Sequence, residues 1–455
     1  MKLFHIAFCS LLCLAFTPIW AQSKTWSLQE CITYAHTNNI TVHNAELDVQ
    51  SSVFDVEAAW GSMLPSLSGT TSHSWNIGLN QNITTGLLEN QTTQFTSAGV
   101  SSNVTIYNGL QLQNRLRRSM LAKISYQYQL NKLRDDVSLN VANAYLQIVF
   151  NKEALRVQKE QLSNSQKQLT KTQEMVSVGA IPKGDLLDAQ ATVATAKQKV
   201  TAAENALFIS KISLAQLLQL KEYQNFDIRS VDISPKNSEV LLQTPQAIYE
   251  KAVQNRNEIK LAQTRLEMAE KDQKIALGGY QPSIIGFYNF STRASNSDRV
   301  IRDANGNYSF TSALPLFDQF SINKGHVYGV QLNIPILNGL SARTNVQKSK
   351  VALKKSQWNL EQQKLDLERA IYAAFGDANG ALKVYEAAQA GLEARQLSFQ
   401  YAQEKFNVGL MNTFDLNQAQ TLLVTAESDF LRAKYDYIFK VKILEFYFGI
   451  PIDAP

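Results

Sequence analysis

Asp185 and Asp188 have the first spacing that could do chemistry. Three residues apart in helical text, they share one helix face. Asp415 stands in a matching stretch downstream, where Gln418 replaces the second acid. An Asp near a helix N-terminus caps the helix or meets its dipole, which accounts for Asp185 and Asp415 without any ligand. His36 and His43 lie seven apart on a helical stretch, but no Cys or acid cluster completes a metal set around them. His73 and His326 fall in strand-like text and read as interfacial. The six Met residues form no cluster. The chain carries no Gly-rich phosphate loop, no Gly-x-Ser-x-Gly and no His-Glu-x-x-His. These residue types point to no enzyme, no cofactor and no metal centre.

The elements that must position the acids are clearer than the acids themselves. Val178-Gly179-Ala180-Ile181-Pro182-Lys183-Gly184-Asp185-Leu186 returns as Val408-Gly409-Leu410-Met411-Asn412-Thr413-Phe414-Asp415-Leu416. In each copy a helical pattern runs in, breaks at Val-Gly and restarts at the Asp, which reads as the tip of a helical hairpin. The offset is 409 − 179 = 230, and 415 − 185 gives the same value. Upstream, Ser27 to Gly61 matches Thr244 to Gly278 at 252 − 35 = 217, with a break near Asn38-Asn39. Two registers mean an internal duplication with 230 − 217 = 13 residues inserted in the second copy. The insertion falls in the loop Arg293 to Asn323, where Asp303-Ala304-Asn305-Gly306-Asn307 is a turn, so this loop is an exposed tip.

The chain has 455 residues, 45 % of them hydrophobic, and a net charge of only +5. No basic run argues for nucleic acid. Residues 1–21 read as a secretory signal, with Lys2, an apolar run Leu3 to Phe16 and a small residue at Ala21. Neither Cys9 nor Cys13 sits in a lipid-attachment context. Removal of the signal leaves Cys31, too few thiols for an intrachain disulfide. No later run approaches ~20 apolar residues, so no transmembrane helix is expected.

Strand-like text follows each short helical region: 64–108 in the first repeat and 282–338 in the second, with Asn76 to Gln94 read as a polar loop. Val100, Val104 and Ile106 match Val330, Ile334 and Ile336 on one face, while Ser101 and Asn103 match Gln331 and Asn333 on the other. One apolar and one polar face suit a barrel wall between lipid and water, or a strand of a soluble sandwich. Leu110 to Ser177 contains no Gly and no Pro, and as a helix it would reach on the order of 100 Å. Its apolar pattern has a period of seven: Ile148, Leu155, Leu162, Leu169, Val176. Similar runs on all four hairpin arms argue for antiparallel coiled coils. The resulting organisation is a signal (1–21), a first repeat (22–221), a polar linker (222–243), a second repeat (244–451) and a tail (452–455). Four strands per chain cannot close a barrel, and an open edge in lipid is costly, so spanning would need several copies; three give 3 × 4 = 12 strands.

With these features in place, the chain resembles the TolC-type outer-membrane efflux protein family of Gram-negative bacteria. The resemblance rests on both tips, on Phe406-Asn407-Val408-Gly409, and on the strand-to-helix turns Asn108-Gly109-Leu110 and Asn338-Gly339-Leu340. It runs from about Trp26 to Pro451. It implies an α+β membrane protein. A homotrimer would set long antiparallel helices into a helical barrel in the periplasm and four strands per chain into a 12-stranded β-barrel in the outer-membrane lipid. It implies a passive exit duct for a tripartite efflux pump or type I secretion system. Its tips (Val178, Gly179, Ala180, Ile181 and Val408, Gly409, Leu410, Met411, Asn412) would dock on a periplasmic adaptor and, through it, serve an inner-membrane transporter. It implies too that Asp185, Asp188, Asp415 and Gln418 are candidates to line the pore constriction, where a carboxylate ring would favour cations. A basic residue two after the tip Gly, part of the family's gating network, is absent here: Ile181 and Met411 stand in its place, so closure would rest on apolar packing of Met411 and Phe414. A coiled-coil surface adhesin anchored by its strands is the alternative; its tips would face the outside.

Overall fold

A computed structural model describes residues 25–81, 86–221, 224, 226–229 and 238–452. The expected signal, half of the linker and the last tail residues lie outside the described residues. The chain divides into two compact units, one of residues up to 47, 128–260 and 362–455, the other of 48–127 and 261–361. Each unit draws on both sequence repeats.

The helices repeat in length as well as in pattern. α1 (Leu28–Asn38) and α2 (Ile40–Gly61) have 11 and 22 residues, as do α5 (Pro245–Asn255) and α6 (Asn257–Gly278). α3 (Gln111–Ser177) and α8 (Ser341–Asn407) both have 67 residues, and α4 (Lys183–Leu218) and α9 (Thr413–Phe448) both have 36. Starts differ by 245 − 28 = 217 and by 341 − 111 = 230. A capping box of Ser27 and Glu30 starts α1, and Thr244 caps α5 by accepting from Ala247 N at 3.2 Å.

The core of the helical unit holds Tyr145, Ile148, Leu214, Leu218, Tyr437 and Leu444, all but fully buried. Farther along the hairpins, small and polar residues join apolar ones such as Val193 and Val200 in the seam: Ser165 and Thr172 are buried seven apart, as are Ala189 and Ala196. Such residues let helices approach closely. The region expected as an irregular linker contains a short strand, β4 (Asp227–Ile228), paired in parallel with β1 (Thr25–Trp26). Asp227 is gripped by Lys152 at 2.7 Å and Lys211 at 3.0 Å. Burial works against its ionised form, but these two ammonium groups hold its carboxyl below the usual range.

The second unit carries a four-stranded antiparallel sheet in the order β2-β3-β5-β8: β2 (Ser66–Gln81), β3 (Leu88–Asn108), β5 (Ser283–Ser295) and β8 (Gly325–Asn333). Most of the stretch expected as the loop Asn76 to Gln94 is strand. Its Asn, Gln and Thr residues have loop-like composition, but Asn76 pairs with Thr93 on the polar face, while Gln94, Thr92 and Asn90 pair with Trp75, Ile77 and Leu79 on the other. Conversely, β8 stops at Asn333, so Ile334 and Ile336 do not continue the strand as expected. Pro335 lacks the N–H a ladder needs. The loop that holds the insertion folds as a hairpin, β6 (Arg299–Arg302) and β7 (Tyr308–Thr311), followed by a short helix, α7 (Leu316–Ile322). Asp303 and Asn307 close the hairpin turn at 2.9 Å, and backbone N–H groups of Asn307, Asn305 and Gly306 pull the Asp303 carboxyl down. Among the described helices none is long and apolar enough to cross a membrane.

Candidate functional site

Both tips end their incoming helix in the same way. Gly179 takes φ +77° and Gly409 φ +76°. Ala180 N donates to Met175 O at 2.9 Å and Gly179 N to Val176 O at 3.0 Å; Leu410 N donates to Lys405 O at 2.8 Å and Gly409 N to Phe406 O at 3.1 Å. This six-to-one and five-to-two pair is a Schellman motif, and it needs a left-handed residue that glycine adopts without strain. The returning helices start earlier than the Asp residues. Pro182 precedes α4 and makes no side-chain cap, whereas Asn412 caps α9 by accepting from Asp415 N at 2.8 Å. Asp185 and Asp415 are therefore third-position residues of the first turn, where their charge meets the positive helix end without capping it.

The tips leave apolar groups in the open. Val178, Val408, Leu410 and Phe414 are each more than two-thirds exposed, while Ile181 and Met411 are half-buried. Asp188, Asp415 and Gln418 are exposed and Asp185 is half-buried. The two hairpins are joined beside their tips by Lys171, whose Nζ donates to Asn407 Oδ1 at 2.8 Å and lies 5.4 Å from the Phe406 ring centre. Sequence reasoning did not single out Lys171. Its partner is 236 residues away, and no local pattern signals the pairing.

Higher on the hairpins, a cavity of about 510 Å³ lies between α3 and the α8–α9 pair, lined among others by Arg156, Glu160, Glu427 and Tyr435. Arg156 holds Glu153 at 2.6 Å and Glu160 at 3.1 Å. Burial and the Glu160 charge push the Glu427 carboxyl up, against the pull of Arg156. The histidines do not assemble: His36 Nε2 meets Ser138 Oγ at 2.9 Å, and His43 Nδ1 meets Glu46 at 3.3 Å. Among the described residues no cluster of three or more His, Cys, Asp or Glu could hold a metal.

In the other unit, the sheet register sorts side chains by face. Cross-strand partners share a face. Gly69 pairs with Val100 and Val100 with Phe290; Phe290 pairs with His326, Tyr288 with Tyr328 and Ile284 with Leu332. That face is apolar and aromatic. The opposite face carries Ser68, Ser101, Asn103, Asn289, Arg293 and Gln331, with Phe287 packed where a Cβ on Gly329 would meet its ring at 3.0 Å. The apolar groups are exposed, with Tyr328 at 79 % and Val330 at 67 %, so this is not the inner face of a soluble sandwich. Its histidines are satisfied by neighbours: Tyr288 Oη lies 2.9 Å from His326 Nδ1, and Thr96 Oγ1 lies 2.8 Å from His73 Nδ1.

A family profile described as outer membrane efflux protein matches residues 32–219 and 248–449, both repeats and nearly all of the described chain. The chain belongs to the outer membrane efflux protein family. Outer membrane protein TolC of Vibrio cholerae is 24 % identical over 308 residues, 67 % of this chain and 65 % of that one, just under two thirds of the relative's length. Outer membrane protein TolC of Salmonella enteritidis is 20 % identical over 426 residues, 91 % of this chain and 80 % of that one. A solved structure of CusC, described for the conformational changes accompanying folding and transmembrane channel formation, superposes with a TM-score of 0.77 at 18 % identity, covering 93 % of this chain and 92 % of that one. As an outer membrane efflux protein, the chain has an immediate use for a sheet that is apolar on one side and polar on the other. An apolar face suits contact with lipid and a polar face suits contact with water, the division seen in outer-membrane barrel walls.

Proposed function

We propose that three copies of this efflux protein close into a passive exit duct. The sheet of each copy supplies four strands of a 12-stranded barrel in the outer membrane. The paired hairpins of each copy line a helical tunnel in the periplasm. The observation that carries this reading is the sheet with one lipid-compatible face, one polar face and two open edges, β2 and β8. Unpaired backbone in hydrocarbon costs several kcal/mol per group, so the edges must meet other copies. Ser, Asn and Gln on the polar face suit solutes that cross without chemistry on the chain.

At the far end of the hairpins, the exposed Val178, Val408, Leu410 and neighbouring tip residues Gly179, Ala180, Ile181, Gly409, Met411 and Asn412 form the docking surface for a periplasmic adaptor of a tripartite pump or type I secretion system. Through that adaptor the duct serves an inner-membrane transporter. Asp185, Asp188, Asp415 and Gln418 line the narrowest part, and Met411 with Phe414 closes it by apolar contact.

The test is reconstitution of the mature chain in lipid vesicles. The expected result is a three-chain mass in detergent and release of a small trapped solute. A stable single chain that releases nothing refutes the duct. For the tips, a photo-reactive residue at Asn412 in living cells is expected to capture a periplasmic adaptor. Labelling of that position only by reagents outside the cell reverses the topology and favours the adhesin.

A further inference from the structure

The two open edges of the sheet differ in length. β2 has 16 residues and β8 has 9. Both adjoin helices at one end of the sheet, where α2 leads into β2 and β8 leads toward α8. Paired from that end, β8 can cover nine residues of a neighbouring β2 and leaves 16 − 9 = 7, Trp75 to Gln81. An uncovered edge is a template for unwanted pairing and is costly near lipid.

On β5 the same shortfall is met within the chain. The last β5–β8 pair is Ser291 with Gly325, so Thr292 to Ser295 run on past the end of β8. α7 fills the lane that β8 leaves. Gln319 Oε1 accepts from Ser295 N at 2.9 Å and Gln319 Nε2 donates to Ser295 O at 2.9 Å. Asn323 Nδ2 donates to Arg293 O at 2.8 Å, and Thr292 Oγ1 donates to Phe320 O at 2.8 Å. Two side-chain amides thus take the place of a strand's backbone. Thr292 and Ala294, on the apolar face, are buried there. α7 nevertheless keeps Phe317 80 % and Ile322 67 % exposed.

In a closed barrel the lane after β8 is β2 of the next copy. Beyond the end of β8, the lane after α7 is therefore the uncovered part of that strand. Its apolar-face residues Trp75, Ile77 and Leu79 are all more than half exposed. We propose that α7 of each copy seats Phe317 and Ile322 against Trp75, Ile77 and Leu79 of the next copy. The subunit joint then extends past the last strand pair. The partner is a second copy of this chain, and the proposal rests on the trimeric reading above. It also gives a role to the longer loop of the second repeat, since the described residues of the matching loop in the first repeat form no helix.

Cysteine cross-linking in outer-membrane preparations tests this, with a short bismaleimide and the buried Cys31 left in place as background. Phe317→Cys combined with Ile77→Cys is expected to give linked dimers and trimers, and each single variant none. Val330→Cys combined with Leu67→Cys reports the strand-to-strand joint independently. Linkage of that strand pair without linkage of the Phe317→Cys and Ile77→Cys pair overturns the α7 contact and leaves the trimer standing. Linkage by Phe317→Cys alone also overturns it, since the α7 helices would then meet one another. Failure of both pairs removes the trimer and this contact together. As a second measurement, Phe317→Ser with Ile322→Ser is expected to lower the temperature at which the oligomer dissociates in detergent. An unchanged dissociation temperature counts against the contact.

Discussion

The two Asn-Gly-Leu turns allow the strand-to-helix joints to be tested quantitatively. Gly109 and Gly339 hold the same backbone, φ +68° and +61°, but not the same surroundings. A Cβ on Gly109 would lie 2.4 Å from Gly278 O and 2.9 Å from Gly278 Cα; a Cβ on Gly339 meets nothing within 4 Å. Both Gly→Ala changes incur the left-handed penalty, about 1–2 kcal/mol. Gly109→Ala adds a clash against backbone that no rotamer can relieve, and overpacking of this kind costs a further ~1–3 kcal/mol. The difference corresponds to roughly a 5- to 150-fold change in the folding equilibrium, at about 1.4 kcal/mol per tenfold. Gly278→Ala isolates the steric part, because its Cβ would sit 2.6 Å from Gly109 O and its own φ is not positive. The assay is the urea midpoint of the detergent-solubilised protein. Gly109→Ala is expected to fall well below Gly339→Ala, with Gly278→Ala also lowered. Equal midpoints for Gly109→Ala and Gly339→Ala would refute the claim that α6 and the β3–α3 turn touch backbone to backbone.

Other consequences concern the helical unit. Asn412→Ala removes the cap on α9 and is expected to cost about 1 kcal/mol, seen as faster proteolysis at the second tip; Pro182→Ala removes no side-chain cap hydrogen bond, so the first tip should not respond in the same way. The raised Glu427 carboxyl binds its proton more tightly in the folded chain, so its share of stability grows as pH falls through its folded pKa and levels off below the unfolded value of ~4.3. Glu427→Gln should therefore raise the urea midpoint at pH 7 and flatten its rise toward pH 5; an unchanged pH profile would contradict the charge crowding with Glu160. Burial, reinforced by Glu30, pushes the Cys31 thiol up to about 12. In a chain lacking Cys9 and Cys13, maleimide at pH 8 should leave Cys31 unlabelled until urea is added, and rapid native labelling would show the site to be open.

Much of this architecture was legible in the residues because it depends on local and periodic signals. Helix length, the tip glycines and the two offsets follow from the absence of Gly and Pro in α3, from the left-handed turn that a Schellman end demands, and from repetition itself. Strand ends were less legible. The polar face of β2 and β3 has the composition of a loop, and only the cross-strand register shows that Asn76, Thr93 and their neighbours are paired. Asn412 and Asp415, three residues apart, both have capping chemistry, and only the backbone decides that Asn412 caps α9.

The sequence by itself determined the duplicated helical hairpins, the alternating strands and the family resemblance, because each is written in spacing along the chain. Tertiary structure alone decided the joining of Lys171 to Asn407, the crowding of Glu160 and Glu427 around Arg156, the meeting of Gly109 with Gly278, and the capping of β5 by Gln319 and Asn323. These contacts join residues from 24 to more than 200 positions apart. Residues that far apart in the chain leave no mark on each other's local pattern, and the packing that brings them together is a property of the whole fold.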